Sequence, residues 1–449
     1  MNPEEATHPD RAPVFALCDV NSMYASCEQL FDPKLRGRPV VVLSNGDGCV
    51  VARSPEAKAA GIPMGAPWFK VREEAEAKGV QALSSNYALY ASMSDRIVGV
   101  LRGFSPDVEV YSIDESFLRL DGFAARQEQD PGFYAAYGAQ IRERVLQWVG
   151  LPTCVGIGPT KTLAKLANHL AKNGGARFGG VCSFIGMPEE EQSALMASQP
   201  VGEVWGIGRK LSEQLQTAGI HTVDDLRRAR PEWAKSQFSV VVERTVRELN
   251  GISCLDLEEV ASPRKQIISS RSFSQKVFEL AHLQEAVSMY VGIVCEKLRA
   301  QGSVAGAITV YVRNNPHSKT EAPYSKSLTY PLPAPSSDTR VFTGIAFELL
   351  KKIYRKGPGY RKAGVMLSDI GDAGQEQVDL FASAEHDDAS RAKSDKLMAT
   401  LDALQSKFGR SVIGISNVQL ANRTWSNRRD RLSPAYTTRW EDLPRVRAN

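Results

Sequence analysis

Twice along its length this chain sets its segments in the same order: strand, helix, strand, strand, helix, strand. That repeated order restricts the fold more than any other feature. In the first copy, 14–20 (VFALCDV) is a short apolar strand, and Met23, Tyr24, Cys27 and Leu30 follow it at helical spacing. Two strands at 108–113 and 117–120 flank Asp114-Glu115. A helix near 132–149, a strand over 153–158 and a helix over 160–172 complete the copy. This is the order of a split βαβ sheet. The Gly- and Pro-rich stretch 32–87, with a strand at 39–43 and a helix at 55–60, is inserted into it as a small lobe. The second copy runs through strands at 266–273, 305–313, 327–332 and 363–370 and helices at 282–301 and 338–355. Between the copies, 188–250 is helical and broken at Gly206-Ile207-Gly208 and at Gly219-Ile220. Beyond 371, polar residues precede a helical stretch at 394–405, which reads as a linker and a partly ordered tail. The expected class is α+β with several domains.

Composition excludes several alternatives. Of 449 residues, 43% are hydrophobic and 24% charged, as in ordinary globular chains. No apolar run is long enough to cross a bilayer, so no membrane is expected as a partner. The first ten residues are acidic and do not resemble a secretory signal. Seven cysteines occur without a C-x-x-C pair, which suits a reduced cytoplasmic chain with neither a disulfide framework nor a zinc site. The net charge of +4 conceals an uneven spread. Residues 262–362 carry 16 basic and 6 acidic side chains, and 422–449 carry 7 arginines against 3 acids. The remainder is therefore acidic. A basic block of this kind suits a polyanion, and equally an ordinary solvated face.

Three carboxylates are the chemical centre of the first copy. Asp19 ends the first strand, and Asp114 and Glu115 lie where two strands meet. A split βαβ sheet brings those two places together at its centre. Hard oxygen ligands of this kind suit Mg²⁺, and paired ions serve phosphoryl transfer. Adjacent strand residues point to opposite faces, so Asp114 and Glu115 share a site only if the chain turns there. A turn pair plus a helix-capping Asp19 would account for the same residues without any metal.

Three strings resemble the Y-family DNA polymerases: DVNSMYASCE (19–28), SIDES (112–116) and GIGPTKTLAKLANHLAK (156–172). SNGDGCVVARSPEAKAAGIPMGAPWFK (44–70), VWGIGRKLSEQL (204–215) and LSPAYTTRWEDL (432–443) narrow the likeness to the UmuC type. The resemblance runs from about 14 to 447. It implies a right-hand polymerase: an extension at 1–13, a palm at 14–31 and 88–187, and fingers at 32–87. A helix-hairpin-helix thumb at 188–261, a little finger at 262–370 and a C-terminal tail at 371–449 follow. Asp19, Asp114 and Glu115 fall on the catalytic metal ligands for two Mg²⁺ ions, with the Val20 carbonyl as a further ligand. Tyr24 falls on the aromatic residue that leaves no room for a ribose 2′-hydroxyl.

The resemblance also assigns the anion-binding groups. Thr160 reads as the cap of a helix whose first turn carries Lys161, with Lys165 and Lys172 on the same side. That pattern fits an anion site and also a plain amphipathic helix. The resemblance puts Lys161 on the incoming dNTP, and Lys58 where many relatives carry an arginine with that task. A lysine supplies charge without the bidentate fork. Pro55 stands where many relatives have a triphosphate-contacting tyrosine, so that part of the cradle is unassigned. Gly206 and Gly208 form a hairpin able to approach a DNA phosphate. Among the basic residues of 262–362, Arg271 is the one assigned to DNA. Gln377, Leu380 and Phe381 in QVDLF (377–381) resemble the bacterial clamp-binding pentapeptide, with two apolar anchors behind a polar contact.

The implied activity is error-prone translesion synthesis on primer-template DNA during the SOS damage response. A sliding clamp, a cleaved UmuD dimer and RecA are the implied partners, in the bacterial cytoplasm at the nucleoid. Two other readings fit the carboxylates and hairpin alone. One is a two-metal repair nuclease, which would leave Tyr24 and Lys161 without a task. The other is a non-catalytic DNA- and clamp-binding module.

Overall fold

The computed structural model describes residues 12–258, 263–373, 384–408 and 429–443. They form two compact units, 1–261 with 430–449, and 262–429.

The first unit is built on a five-stranded sheet in the order β5-β6-β1-β7-β8. Its strands are β1 (Phe15–Val20), β5 (Val108–Val110), β6 (Glu115–Arg119), β7 (Thr153–Gly158) and β8 (Val181–Ser183). Every residue of β1 is buried, because the strand lies between β6 and β7 and is covered on both faces. Helices α1 (Met23–Phe31), α4 (Tyr87–Leu101) and α6 (Phe133–Val149) share one core with the sheet. On its other face lies α7 (Lys161–Asn173), capped by Thr160, whose Oγ1 accepts from the Leu163 amide at 3.1 Å. The packing of α7 on β7 needs glycine: a Cβ at Gly156 would lie 2.0 Å from the Asn168 amide nitrogen. Asn168 completes the join by donating to the Leu17 and Cys154 carbonyls.

Between α1 and α4 the chain forms a separate lobe, with β2 (Val40–Leu43), β3 (Val50–Arg53), β4 (Gln81–Ser84), α2 (Pro55–Ala59) and α3 (Trp68–Ala77). Its sheet order is β3-β2-β4, and Val41, Leu43, Ile62 and Trp68 lie in its core. A short helix, α5 (Ala124–Gln129), precedes α6. After β8 come α8 (Glu189–Ala197), α9 (Arg209–Thr217), α10 (Val223–Arg228), α11 (Pro231–Gln237) and α12 (Val240–Leu249). Their apolar faces bury with α7.

The second unit contains β9 (Ile267–Val277), α13 (Leu280–Ala300), β10 (Ser303–Asn314), β11 (Ser325–Ser336), α14 (Thr339–Ile353) and β12 (Tyr360–Asp372). Its sheet order is β11-β10-β12-β9, and α13 and α14 cover one face. The chain order thus repeats that of the first sheet, while the order in space does not.

The stretch expected to be a partly ordered tail holds two structured parts. Helix α15 (Ala384–Phe408) is tied to the second unit by Asp402, which takes two hydrogen bonds at 2.7 Å from Arg299. Residues 430–443 return to the first unit. Among the described residues, no helix is long and apolar enough to cross a membrane.

Candidate active site

Asp19 sits near the end of β1, directly across from Glu115, the first residue of β6. Asp114 is outside the strand. The Ser112 hydroxyl donates to Asp114 Oδ1 at 2.6 Å and accepts from the Glu115 amide at 3.0 Å, which closes a tight turn. The Val20 amide then donates to the Asp114 carbonyl at 2.9 Å. This turn overcomes the alternation that would otherwise separate two neighbouring acids. It is written in the serines of SIDES.

Asp19 is only 7% exposed, and its Oδ1 is buried without a hydrogen-bond partner. Its other oxygen takes the Lys172 ammonium. Burial raises its pKa to about 6, with the Glu115 and Asp114 charges adding to the rise and Lys172 opposing it. Glu115 is paired with Lys165 at 2.7 Å. Lys165 also lies over the rings of Tyr111 and Trp205, at 4.5 and 5.4 Å. Among the described residues the acids do not close into a cation cage. Two ammonium groups supply the counter-charge instead. A desolvated carboxylate with a free oxygen, beside two further carboxylates, is a donor set that fits a hard divalent cation.

Lys161, expected at the triphosphate, does not join this cluster. Its ammonium is buried against Glu109 at 2.6 Å and donates to the Asp256 carbonyl at 3.1 Å. The lysine of α7 that reaches the carboxylates is Lys172, about three turns further on. Lys58 lies near enough to feel the charges of Asp19 and Lys172. Its pKa is lowered by partial burial, then by Arg53 and Lys172, while Asp19 opposes the change. Arg53 donates to the Ile62 carbonyl at 2.6 Å and leaves its Nε buried and unpaired. Arg53 is not singled out by the sequence, and Lys172 is named there only as part of the lysine face of this helix. The usable signal was the cation of VARS, two residues ahead of Pro55, and the lysine spacing along α7.

Tyr24 is half-buried on α1. Its ring stacks on Tyr90 with centroids 4.2 Å apart and meets Tyr87 edge-on at 6.1 Å. Asp114 lies close enough to help burial raise the Tyr24 pKa. Gly206 adopts φ +86°, a conformation that favours glycine, and Gly208 precedes α9. Trp205, in the same loop, packs edge-on against Tyr111 with centroids 5.5 Å apart.

In the second unit, Ile267, Ser269, Arg271 and Phe273 alternate toward the helix-covered side of β9. Arg271 therefore lies on that side, near Tyr290 of α13. The opposite face carries Arg313 beside Lys362 in register, with Ser272 next in line. A cavity of about 350 Å³ is lined there by Arg313, His317, Arg361 and Lys362, among others. Arg271 and the pair Arg313 and Lys362 thus lie on opposite faces of this sheet. Gln377, Leu380 and Phe381 lie outside the described residues.

The fold is that of a Y-family DNA polymerase. A solved chimera of the Y-family polymerases Dbh and Dpo4 matches 80% of this chain and 99% of its own, with TM-score 0.63 and 19% identity. The impB/mucB/samB family model matches residues 18–169, its C-terminal domain 264–380 and its HHH motif 189–220. Residues 395–446 match a domain of unknown function, DUF4113. Protein ImpB of Salmonella typhimurium is 44% identical over 438 residues, covering 97% of this chain and all of that one. Protein UmuC of Salmonella typhimurium strain LT2 is 44% identical over 434 residues, with the same coverage. Protein MucB of Escherichia coli is 43% identical over 432 residues, covering 96% of this chain and 99% of its own. The chain belongs to the impB/mucB/samB family. It is an error-prone translesion DNA polymerase of the UmuC type, a DNA-directed enzyme of a class that uses divalent metal.

Proposed function

We propose that Asp19, Asp114 and Glu115, with the Val20 carbonyl, hold two Mg²⁺ ions and that the surrounding cations hold the dNTP triphosphate. The observation that carries this reading is the buried, unpartnered Oδ1 of Asp19, whose other oxygen pairs with Lys172, beside Asp114 and a Glu115 that pairs with Lys165. When bound, the ions would supply charge for activating the primer 3′-hydroxyl and for the leaving pyrophosphate. Lys172 and Lys58 bring two positive charges to the place where a triphosphate would lie. Arg53 supplies the guanidinium fork that Lys58 lacks, which answers the vacancy at Pro55. Tyr24 presents its ring beside Asp114, where it would pack under the sugar and exclude a 2′-hydroxyl.

Other residues serve the DNA and the partners. Gly206 and Gly208 offer backbone amides to a phosphate, and Arg313 and Lys362 offer charge to the DNA backbone. Residues 377–381 serve as the clamp-binding peptide. A cleaved UmuD dimer and RecA are the further partners, in the bacterial cytoplasm and at the nucleoid. The test is primer extension on damaged and undamaged template with dNTPs and Mg²⁺, in the assembly that supports synthesis. Asp114→Ala is expected to lower extension by about a thousandfold or more while leaving DNA affinity intact. Deleting 377–381 removes only clamp stimulation. Template cleavage without extension would establish a nuclease instead.

A further inference from the structure

Residues 430–443 return from the end of the chain to the first unit and lie across its small lobe and palm. The Ser84 amide donates to the Arg431 carbonyl at 2.9 Å, and Leu432 forms a parallel bridge with Ser84 at the end of β4. Arg431 also pairs with Glu76 at 3.3 Å and lies over the Trp68 ring at 5.8 Å. Tyr436 stacks on Phe31 of α1, with centroids 5.1 Å apart. Five contacts made by three residues, Arg431, Leu432 and Tyr436, fix this segment in place. The only family description covering it is a domain of unknown function.

The segment reaches Tyr24 through a short chain of contacts. Glu28 is 1% exposed, so its carboxyl needs internal partners. Its Oε1 accepts from the Tyr90 hydroxyl at 2.6 Å and from the Ser433 hydroxyl at 3.1 Å. Tyr90 in turn is the ring on which Tyr24 stacks, nearly parallel at 13°. Asn86 reinforces the link. Its Nδ2 donates to Ser433 Oγ at 2.9 Å and to the Pro434 carbonyl at 3.2 Å. Its Oδ1 meanwhile caps α4, the helix that carries Tyr87 and Tyr90, by accepting from the Leu89 amide. Tyr24 is thus held by two rings whose helix is gripped by the C-terminal segment.

We propose that the C-terminal segment is a positioning element for sugar selection: Ser433 holds Glu28, Glu28 holds Tyr90, and Tyr90 fixes the ring of Tyr24. A gate that works by steric exclusion needs a ring that does not yield when a 2′-hydroxyl presses on it. A stacked partner provides that resistance only if the partner is itself fixed. The Tyr90 hydroxyl is fixed by a buried carboxyl, and the second hydroxyl that donates to that carboxyl comes from a residue 405 positions away in sequence. The proposal rests on Tyr24 being the sugar gate.

The test measures kcat/KM for a matched dNTP against its rNTP in the full chain, within the assembly that extends a primer. This ratio does not depend on the fraction of active enzyme, so partial unfolding cannot imitate the effect. Ser433→Ala and Tyr90→Phe remove one hydroxyl each and are expected to lower deoxyribose preference about three- to ten-fold. In a Tyr24→Ala background, Ser433→Ala should cause no further loss, because the gate on which it acts is gone. An unchanged ratio in both single variants overturns the proposal. So does a Ser433→Ala loss that persists in full without Tyr24. If Tyr24→Ala itself leaves the ratio unchanged, the gate reading fails, and that result is distinct from a failure of the brace alone.

Discussion

The mixed sheet of the first unit and the antiparallel sheet of the second share one order along the chain and differ in which strand they bury. The first places β1 between β6 and β7, so the acid near the end of the leading strand lies beside the turn that carries two more. The second places its leading strand, β9, at the edge, with β10 and β12 in the middle. The consequence is electrostatic. A central strand gives Asp19 a desolvated site with a raised pKa. On the second sheet, the face opposite α13 and α14 leaves Arg313 exposed and Lys362 partly exposed, although both are on its middle strands. The same motif buries an acid on a central strand in one case and exposes cations on an uncovered face in the other.

Charge pairs mark the same contrast, and breaking them gives the largest expected change in stability. Lys161 and Glu109 are 5% and 9% exposed at their side chains, so removing one leaves the other buried without its counter-charge. Lys161→Met is expected to destabilise the first unit by about 3–5 kcal/mol. Lys161→Met with Glu109→Gln should restore much of the loss. In the second unit Lys276 and Glu321 are 35% and 24% exposed, and Lys276→Met should cost under about 1 kcal/mol. Urea unfolding of the three variants measures both effects. A Lys161→Met cost as small as that of Lys276→Met would erase the distinction between the sheets.

A smaller effect, with a sign fixed by linkage, comes from Asp19. Its pKa in the folded protein is about 6 against an ordinary 3.8, so the folded state holds the proton more tightly than the unfolded state. The associated stability is present below pH 3.8 and is lost as pH rises through 6. Asp19→Asn is therefore expected to stabilise the metal-free protein by about 1–3 kcal/mol at pH 8, and by little at pH 4. On the proposed metal-binding role of Asp19, the same substitution is expected to abolish extension. Unfolding curves across this range, recorded with a chelator, would refute the picture if the gain did not shrink with falling pH.

Much of this was legible in the sequence because local pattern and tertiary need agreed. The strand over 153–158 is found at Thr153–Gly158, and SIDES carries the serine that makes the turn at Asp114. What escaped depends on partners far along the chain. Lys161 and Lys172 look alike within one helix, and the difference between them is Glu109 on one side and Asp19 on the other. The orientation of Arg271 follows from which face α13 and α14 cover, which strand alternation alone does not specify. Residues 430–443 lack helical or alternating periodicity. Their place is set by hydrogen bonds to Ser84 and Asn86, about 347 positions earlier.

The mildest prediction concerns the open face of the second sheet. Arg313 and Lys362 stand in register, and the Arg313 charge adds to partial burial in lowering the Lys362 pKa. Two cations held this close repel each other, and an anion placed between them relieves that repulsion. If the anion is a DNA phosphate, Arg313→Ala should weaken primer-template binding about three- to five-fold. It should also reduce the slope of log affinity against log salt by about one. Arg271→Ala, on the helix-covered side, should alter neither quantity measurably. Fluorescence anisotropy over a salt series separates the two variants. Equal losses would mean that the face carrying Arg313 has no special claim on the DNA backbone, and that the edge position of β9 matters more than the side toward which its residues point.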